Sequence, residues 1–281
     1  MWIWFTLCSA ILLGSYDIIK KQAVKSNSVL WVLFGATALS TLFLTPFFSA
    51  GSLHDHLCLV AKAVLVSLSW ISGLIAIKLL PLTTVSTIKA SRPMFVVIFS
   101  LILFHERLNL MQWGGVLLVT AALFMLGRSS RKEGINFTSN KGIAWMALSV
   151  VTGAASALYD KYILGFLEPL FVQSWTNLYI SIILALILLG TWLHDRDGFR
   201  KFRWDWKLLA IAVLITGSDM LYFFAVKDED ALLSVISMTR RSSVFITFLG
   251  GALVFKEHNI RDKFIDLVIL LAGVTMLLFS S

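Results

Sequence analysis

Apolar residues run along this chain in long blocks broken by short polar stretches. Ten blocks can be marked, at roughly 2–22, 28–49, 57–79, 82–104, 109–127, 141–164, 170–193, 206–226, 230–255 and 260–280. Each is close to the ~20 residues that a helix needs to cross a hydrocarbon core of ~30 Å. None shows the two-residue alternation of a barrel strand, and open sheet edges cannot face lipid, so every block predicts a membrane-spanning helix. Trp2, Trp4, Trp31, Trp113, Trp145, Trp204 and Trp206 fall near block ends, where amphipathic rings prefer to sit. The first block does not read as a cleavable signal, since it lacks a basic start and a small-residue cleavage site and runs too long.

The longest polar stretch, Arg128 to Lys141 (RSSRKEGINFTSNK), falls at the midpoint and divides the chain into 1–127, a linker 128–140, and 141–281. The two halves partly repeat. A shift of 151 residues superposes Ser86, Lys89, Phe104 and Glu106 on Ser237, Arg240, Phe255 and Glu257, and a shift of 143 superposes Tyr16-Asp17 on Tyr159-Asp160. Five helices per half is an odd number, so the second half enters the membrane in the opposite sense. The predicted fold is therefore all-α and integral to the membrane, with ten transmembrane helices in two inverted five-helix repeats around a central cavity.

Composition removes the soluble alternative. Apolar residues make up 58% of the chain and charged ones 14%, against about 25% charged in a soluble domain. Cys8 and Cys58 both lie in apolar blocks and form no disulfide or metal framework. The formal charge of +8 has no soluble domain to build a nucleic-acid groove, so it is assigned to loops, and no nucleic-acid partner is expected. Loops after odd-numbered blocks hold most of the loop cations, among them Lys25, Lys78, Arg128, Arg131, Arg196 and Arg200. The positive-inside rule then places both termini outside the cytoplasm.

Against this background the ionisable residues inside the blocks stand out: Asp17, Lys89, Arg92, Asp160, Asp219, Arg240, Arg241 and Asp266. A charge at the bilayer centre costs at least ~2.5–3.5 kcal/mol, so such residues mark a substrate, a partner or water. Lys89 and Arg92, three apart, share a helical face. Arg240 and Arg241 lie near the middle of the ninth block, and inverted symmetry brings the fourth and ninth helices together. A cation cluster there suits a phosphate or carboxylate. The competing reading is that the cations neutralise the aspartates in buried pairs. Asp17 and Asp160, late in their helices, and Asp266, early in its own, are expected to be partly solvated, which leaves Asp219 alone at mid-span. Asp219, Asp17 and Asp160 are the candidates for proton coupling. Tyr222, one turn after Asp219, either orients substrate or packs an interface. Ser86, Ser237, Ser174, Asn177 and Trp70 are further candidates for the cavity lining, although for serines packing is the commoner role. Glu106 and Glu257 read as interfacial anchors, and Gly114-Gly115, Gly250-Gly251 and Ala272-Gly273 as close-packing positions.

The stretches SRPMFVVIFSLILFHERLNLMQWGGVLL and RRSSVFITFLGGALVFKEHNIRDKFIDLVILL resemble the paired EamA repeats of the drug/metabolite transporter superfamily: a polar helix start, an apolar run ending in Glu, then a short turn into a Gly-containing helix. The resemblance implies a secondary carrier whose members take amino acids, drugs, nucleotide sugars or sugar phosphates, and it implies cytoplasmic termini, against the charge count. Val244 stands where the second repeat commonly has the proline that Pro93 supplies in the first. Lys89, Arg240 and Arg241 are similar in position to the phosphate-holding Lys and Lys-Arg pair of the plastid sugar-phosphate branch.

No catalytic motif appears. The five histidines fall in loops or at block ends without metal spacing, and no glycine-rich phosphate loop is present. The chain is expected to be a non-enzymatic secondary carrier of a small anionic metabolite, in a bacterial inner membrane, with lipid and substrate as partners and neither cofactor nor metal. The alternatives are a neutral amino-acid or drug exporter with internally paired charges, and a membrane scaffold with no transport cycle.

Overall fold

A computed structural model describes residues 2–92, 94–95, 110–131, 135–137, 139–194, 203–227, 240 and 242–279. Among them run ten α-helices: α1 (Trp2–Ser26), α2 (Val29–Phe43), α3 (Leu53–Leu79), α4 (Leu82–Ala90), α5 (Leu110–Arg131), α6 (Lys141–Ile163), α7 (Pro169–His194), α8 (Trp206–Lys227), α9 (Ser243–Leu253) and α10 (Ile260–Phe279). Stretches of α1, α3, α5, α6 and α7 are each long and apolar enough to cross a bilayer.

Several boundaries differ from the sequence reading. α2 stops at Phe43 and a 3-10 turn at Thr45–Phe47 follows, because Pro46 cannot continue an α-helix hydrogen-bond ladder. α3 begins four residues before the predicted 57, at a capping box in which Ser52 and Asp55 satisfy each other's backbone N–H. Other helix starts are capped in the same economical way: the Ser28 hydroxyl accepts from Trp31 N, and the Asn140 carbonyl oxygen from Gly142 N.

The packing repeats itself across the midpoint. α3 lies on α6 as α8 lies on α1; α3 meets α7 as α8 meets α2; α4 meets α6 as α9 meets α1. Exchanging the first five helices with the last five maps these contacts onto one another, while α2–α7, α4–α9 and α5–α10 map onto themselves. The α1–α8 and α3–α6 interfaces each carry a reciprocal serine pair. Ser9 and Ser218 exchange hydroxyl-to-carbonyl bonds of 2.7 and 2.9 Å, and Ser69 and Ser149 do the same at 2.9 and 2.7 Å. The glycines act as expected by closeness: a Cβ at Gly250 would lie 2.3 Å from Ile18, and one at Gly273 would lie 3.0 Å from the Gly115 carbonyl. Large apolar side chains such as Leu117, Phe124, Leu186 and Leu193 point outward, which suits lipid.

Alternating spans put the start of α1 and the end of α10 on one face, here the terminal face; the opposite, basic face carries the links α3–α4 and α9–α10. Glu257 corrects the anchor reading. Its carboxylate accepts from Leu82 N (2.5 Å), Thr83 N (2.9 Å) and the Thr83 hydroxyl (2.7 Å). The ninth-to-tenth link of one repeat thus caps the fourth helix of the other, placing negative charge on exposed N–H groups at a positive dipole end. Lys256, at a φ of 49° that a β-carbon disfavours, turns the chain so that Glu257 points inward. Fully buried Lys263 adds a 3.1 Å bond to the same Thr83 hydroxyl, and Lys21 donates to the Leu80 carbonyl. Glu257→Ala is expected to remove about 1.5–3 kcal/mol, the usual worth of hydrogen bonds to a charged group. Thermal melting of the purified protein reads the loss, and raised alkylation of a cysteine placed at buried Thr87 reads the loosened face.

Candidate functional site

Among the described residues, ion pairs thread the interior. Lys89 Nζ lies 2.5 Å from Asp17 Oδ2, which also accepts from the Thr247 hydroxyl at 3.4 Å. Lys20 Nζ sits 3.8 Å from the other Asp17 oxygen and 4.2 Å over the Tyr16 ring. Asp17 is thus buried between α1, α4 and α9, where the sequence reading expected partial solvation. The reason is that α1 runs on to Ser26, so Asp17 lies within the bundle and not at its edge. Asp266 is likewise buried, at 3% exposure, rather than solvated. The second pair joins Arg240 to Asp219, with the guanidinium 4.3 Å over the Tyr222 ring. The third joins Lys62 to Asp160 at 2.9 Å. Asp219 therefore does not stand alone against the cations: Lys89 and Arg240 each have an acid of their own.

Symmetry is broken here in an informative way. The repeat equates Asp17 with Asp160 and Lys89 with Arg240, yet only the first couple is paired directly. Asp160 and Arg240 instead border a cavity of about 270 Å³ and take Lys62 and Asp219 as partners. The cavity lies among the start of α3, the end of α6, the start of α7 and the end of α8, towards the terminal face. The basic face below it is held by the Glu257 cap.

Of the residues singled out in the sequence, Arg92, Asp160, Asp219, Tyr222, Arg240, Trp70 and Asn177 line this cavity. Lys89, Asp17 and Ser86 do not belong to its lining. Ser86 instead donates to the carbonyl of Thr83 in its own helix at 2.8 Å, and Ser174 bonds to Phe171 O at 3.2 Å. Ser237, Arg241 and Glu106 lie outside the described residues. The lining adds Lys62, Gly153, Gln173 and Thr176, which the sequence reading passed over. Lys62 falls inside the third predicted block, near its start. Gln173 had a visible signal, an amide inside an apolar block with a threonine one turn on.

Among the described residues no carboxylate is in ion-pair contact with Arg92, and its Nε is buried without a hydrogen-bond partner. Room for its guanidinium comes from Gly153 on α6, where a Cβ would lie 2.5 Å from Arg92 Nη2. Because the obstacle is the end of a flexible side chain, Gly153→Val should turn the guanidinium away while leaving the helices in place. The expected result is a protein that melts as the wild type does but has lost stabilisation by inorganic phosphate in a thermal-shift titration.

The EamA-like transporter family model matches residues 1–128 and again 140–279. A solved crystal structure superposes with a TM-score of 0.63 at 15% identity, covering 97% of this chain and 94% of that one, a likeness of fold. No curated protein matches in sequence. With the family model met twice along almost its whole length, this chain belongs to the EamA-like transporter family, a family of multi-pass membrane transporters and not of enzymes.

Proposed function

We propose that the chain is a secondary carrier of a small anionic metabolite, which it holds in the cavity between its repeats and passes across the membrane by alternating access. Arg92 carries the reading. Among the described lining residues the cations Lys62, Arg92 and Arg240 face the carboxylates Asp160 and Asp219, so one positive charge remains over. A planar guanidinium whose Nε donor is unused suits a carboxylate or phosphate through two parallel bonds. A volume of about 270 Å³ falls just under the ~300–1,000 Å³ of drug-sized sites, which favours a metabolite over a multi-ring drug. Arg240, stacked on Tyr222 and half-open to the cavity, is the second contact; exchange of partners among Asp219, Arg240 and Asp160 provides the change between states. Lys89 and Asp17 then act as a closing pair on the basic side, and the carboxylates are the candidates for coupling protons. The proposed setting is a bacterial inner membrane, with the basic loops in the cytoplasm and both termini outside. A C-terminal reporter active only in the cytoplasm should therefore stay silent, and an active one would reverse the orientation.

The internal ion pairs among the described residues support one rival, a carrier of neutral amino acids or drugs. Thermal-shift titration in detergent separates the two. Inorganic phosphate or succinate should stabilise the wild type and not Arg92→Gln. Stabilisation by neutral amino acids or cationic dyes alone would favour the rival.

A further inference from the structure

α7 presents polar groups to the cavity that nothing in the protein answers. Gln173 and Thr176, three apart on one helical face, are 6% and 5% exposed and line the cavity with Arg92. Gln173 Oε1, Gln173 Nε2 and Thr176 Oγ1 are all buried without a hydrogen-bond partner in the protein, as is Arg92 Nε. Elsewhere in the bundle a buried threonine hydroxyl commonly donates to the carbonyl four residues back, as Thr37, Thr152 and Thr247 do to Leu33, Leu148 and Ser243. Thr176 forgoes that bond, and Gln173 leaves both a donor and an acceptor idle.

Buried polar groups left without partners are costly and few, so a cluster of them on one cavity wall calls for a ligand. We propose that Gln173 and Thr176 are specificity-determining residues, and that the substrate is an anion bearing hydroxyl or amide groups beside its charged head. This rests on the reading of Arg92 as the anion's anchor. A ligand that closes on this wall must satisfy these groups or lose affinity. The carboxamide of Gln173 can donate to and accept from one hydroxyl or amide, and Thr176 can serve a neighbouring one. An aliphatic anion of equal size would satisfy Arg92 and leave the α7 groups unpaired.

The test uses matched pairs on the purified full chain: glycerate against propionate, and glycerol phosphate against propyl phosphate. The two pairs distinguish a carboxylate from a phosphate head. In at least one pair the hydroxylated member should bind the wild type about tenfold tighter or more, as expected for one hydrogen bond to a buried group. Gln173→Leu and Thr176→Val should each bring the ratio of affinities towards one, and Thr176→Ser should keep it. The ratio is the readout because a merely structural role would change both members alike. Equal binding of both members by the wild type overturns the inference and spares the anion reading, as does a ratio unchanged in Gln173→Leu and Thr176→Val. If no member of either pair binds, the anion reading falls and the inference falls with it.

Discussion

Asp17→Ala is expected to be the most damaging single change in this protein. It strips the acid from Lys89 and Lys20 at once, in a part of the bundle where the Asp17 side chain is only 4% exposed. Removing one partner of a buried pair costs ~3–5 kcal/mol where the remaining charge is shut away from water. That holds for Lys20, whose side chain is 8% exposed, and less for Lys89 at 27%; two cations lose their shared acid together. The melting temperature should fall steeply. The double change Asp17→Ala with Lys89→Ala should recover part of the loss, and only part, because Lys20 remains. A single change that melts like the wild type would show that the pair is not closed in the folded protein.

Arg240→Ala is expected to act differently. Its guanidinium and the Asp219 carboxylate are 21% and 28% exposed as side chains, because both border the cavity. The orphaned carboxylate can take water, so the stability loss should be about 1–2 kcal/mol, between the ~0–1 of surface pairs and the ~3–5 of buried ones. The functional loss should be much larger. With Arg240 gone the described cavity holds two cations against two carboxylates, and the excess that favours an anion disappears. Arg240→Lys should keep part of the function, since an ammonium restores the charge but not the planar stack on Tyr222. Adding Asp219→Ala to Arg240→Ala should restore melting and, by returning the excess of one positive charge, some anion binding. A severe melting loss in Arg240→Ala fully rescued by Asp219→Ala, with anion binding untouched throughout, would make the pair purely structural.

The contrast between these residues explains what could be read from the sequence. Spans, repeat and family were legible because lipid demands long apolar helices and because Lys89 and Glu106 recur as Arg240 and Glu257 at one spacing. Partner choice was not legible. Symmetry argues for equivalent roles for Asp17 and Asp160, but the structure puts the two in unlike surroundings: Asp17 on Lys89, Asp160 on Lys62. Lys62 and Gly153 carry no local sign of their contacts with Asp160 and Arg92, which join different helices. Glu257 reads as an anchor from its basic neighbours, whereas its contact with Leu82 and Thr83 spans the two repeats and has no local signature.

The most direct test of an anion carrier built around Arg92 is counterflow in proteoliposomes. Vesicles preloaded with unlabelled glycerate or glycerol phosphate should transiently concentrate the same labelled anion when they contain the wild type. Vesicles containing Arg92→Gln, melting at the wild-type temperature, should not. Equal accumulation by the two proteins, or accumulation by the wild type only of a neutral amino acid or a cationic dye, would contradict the account.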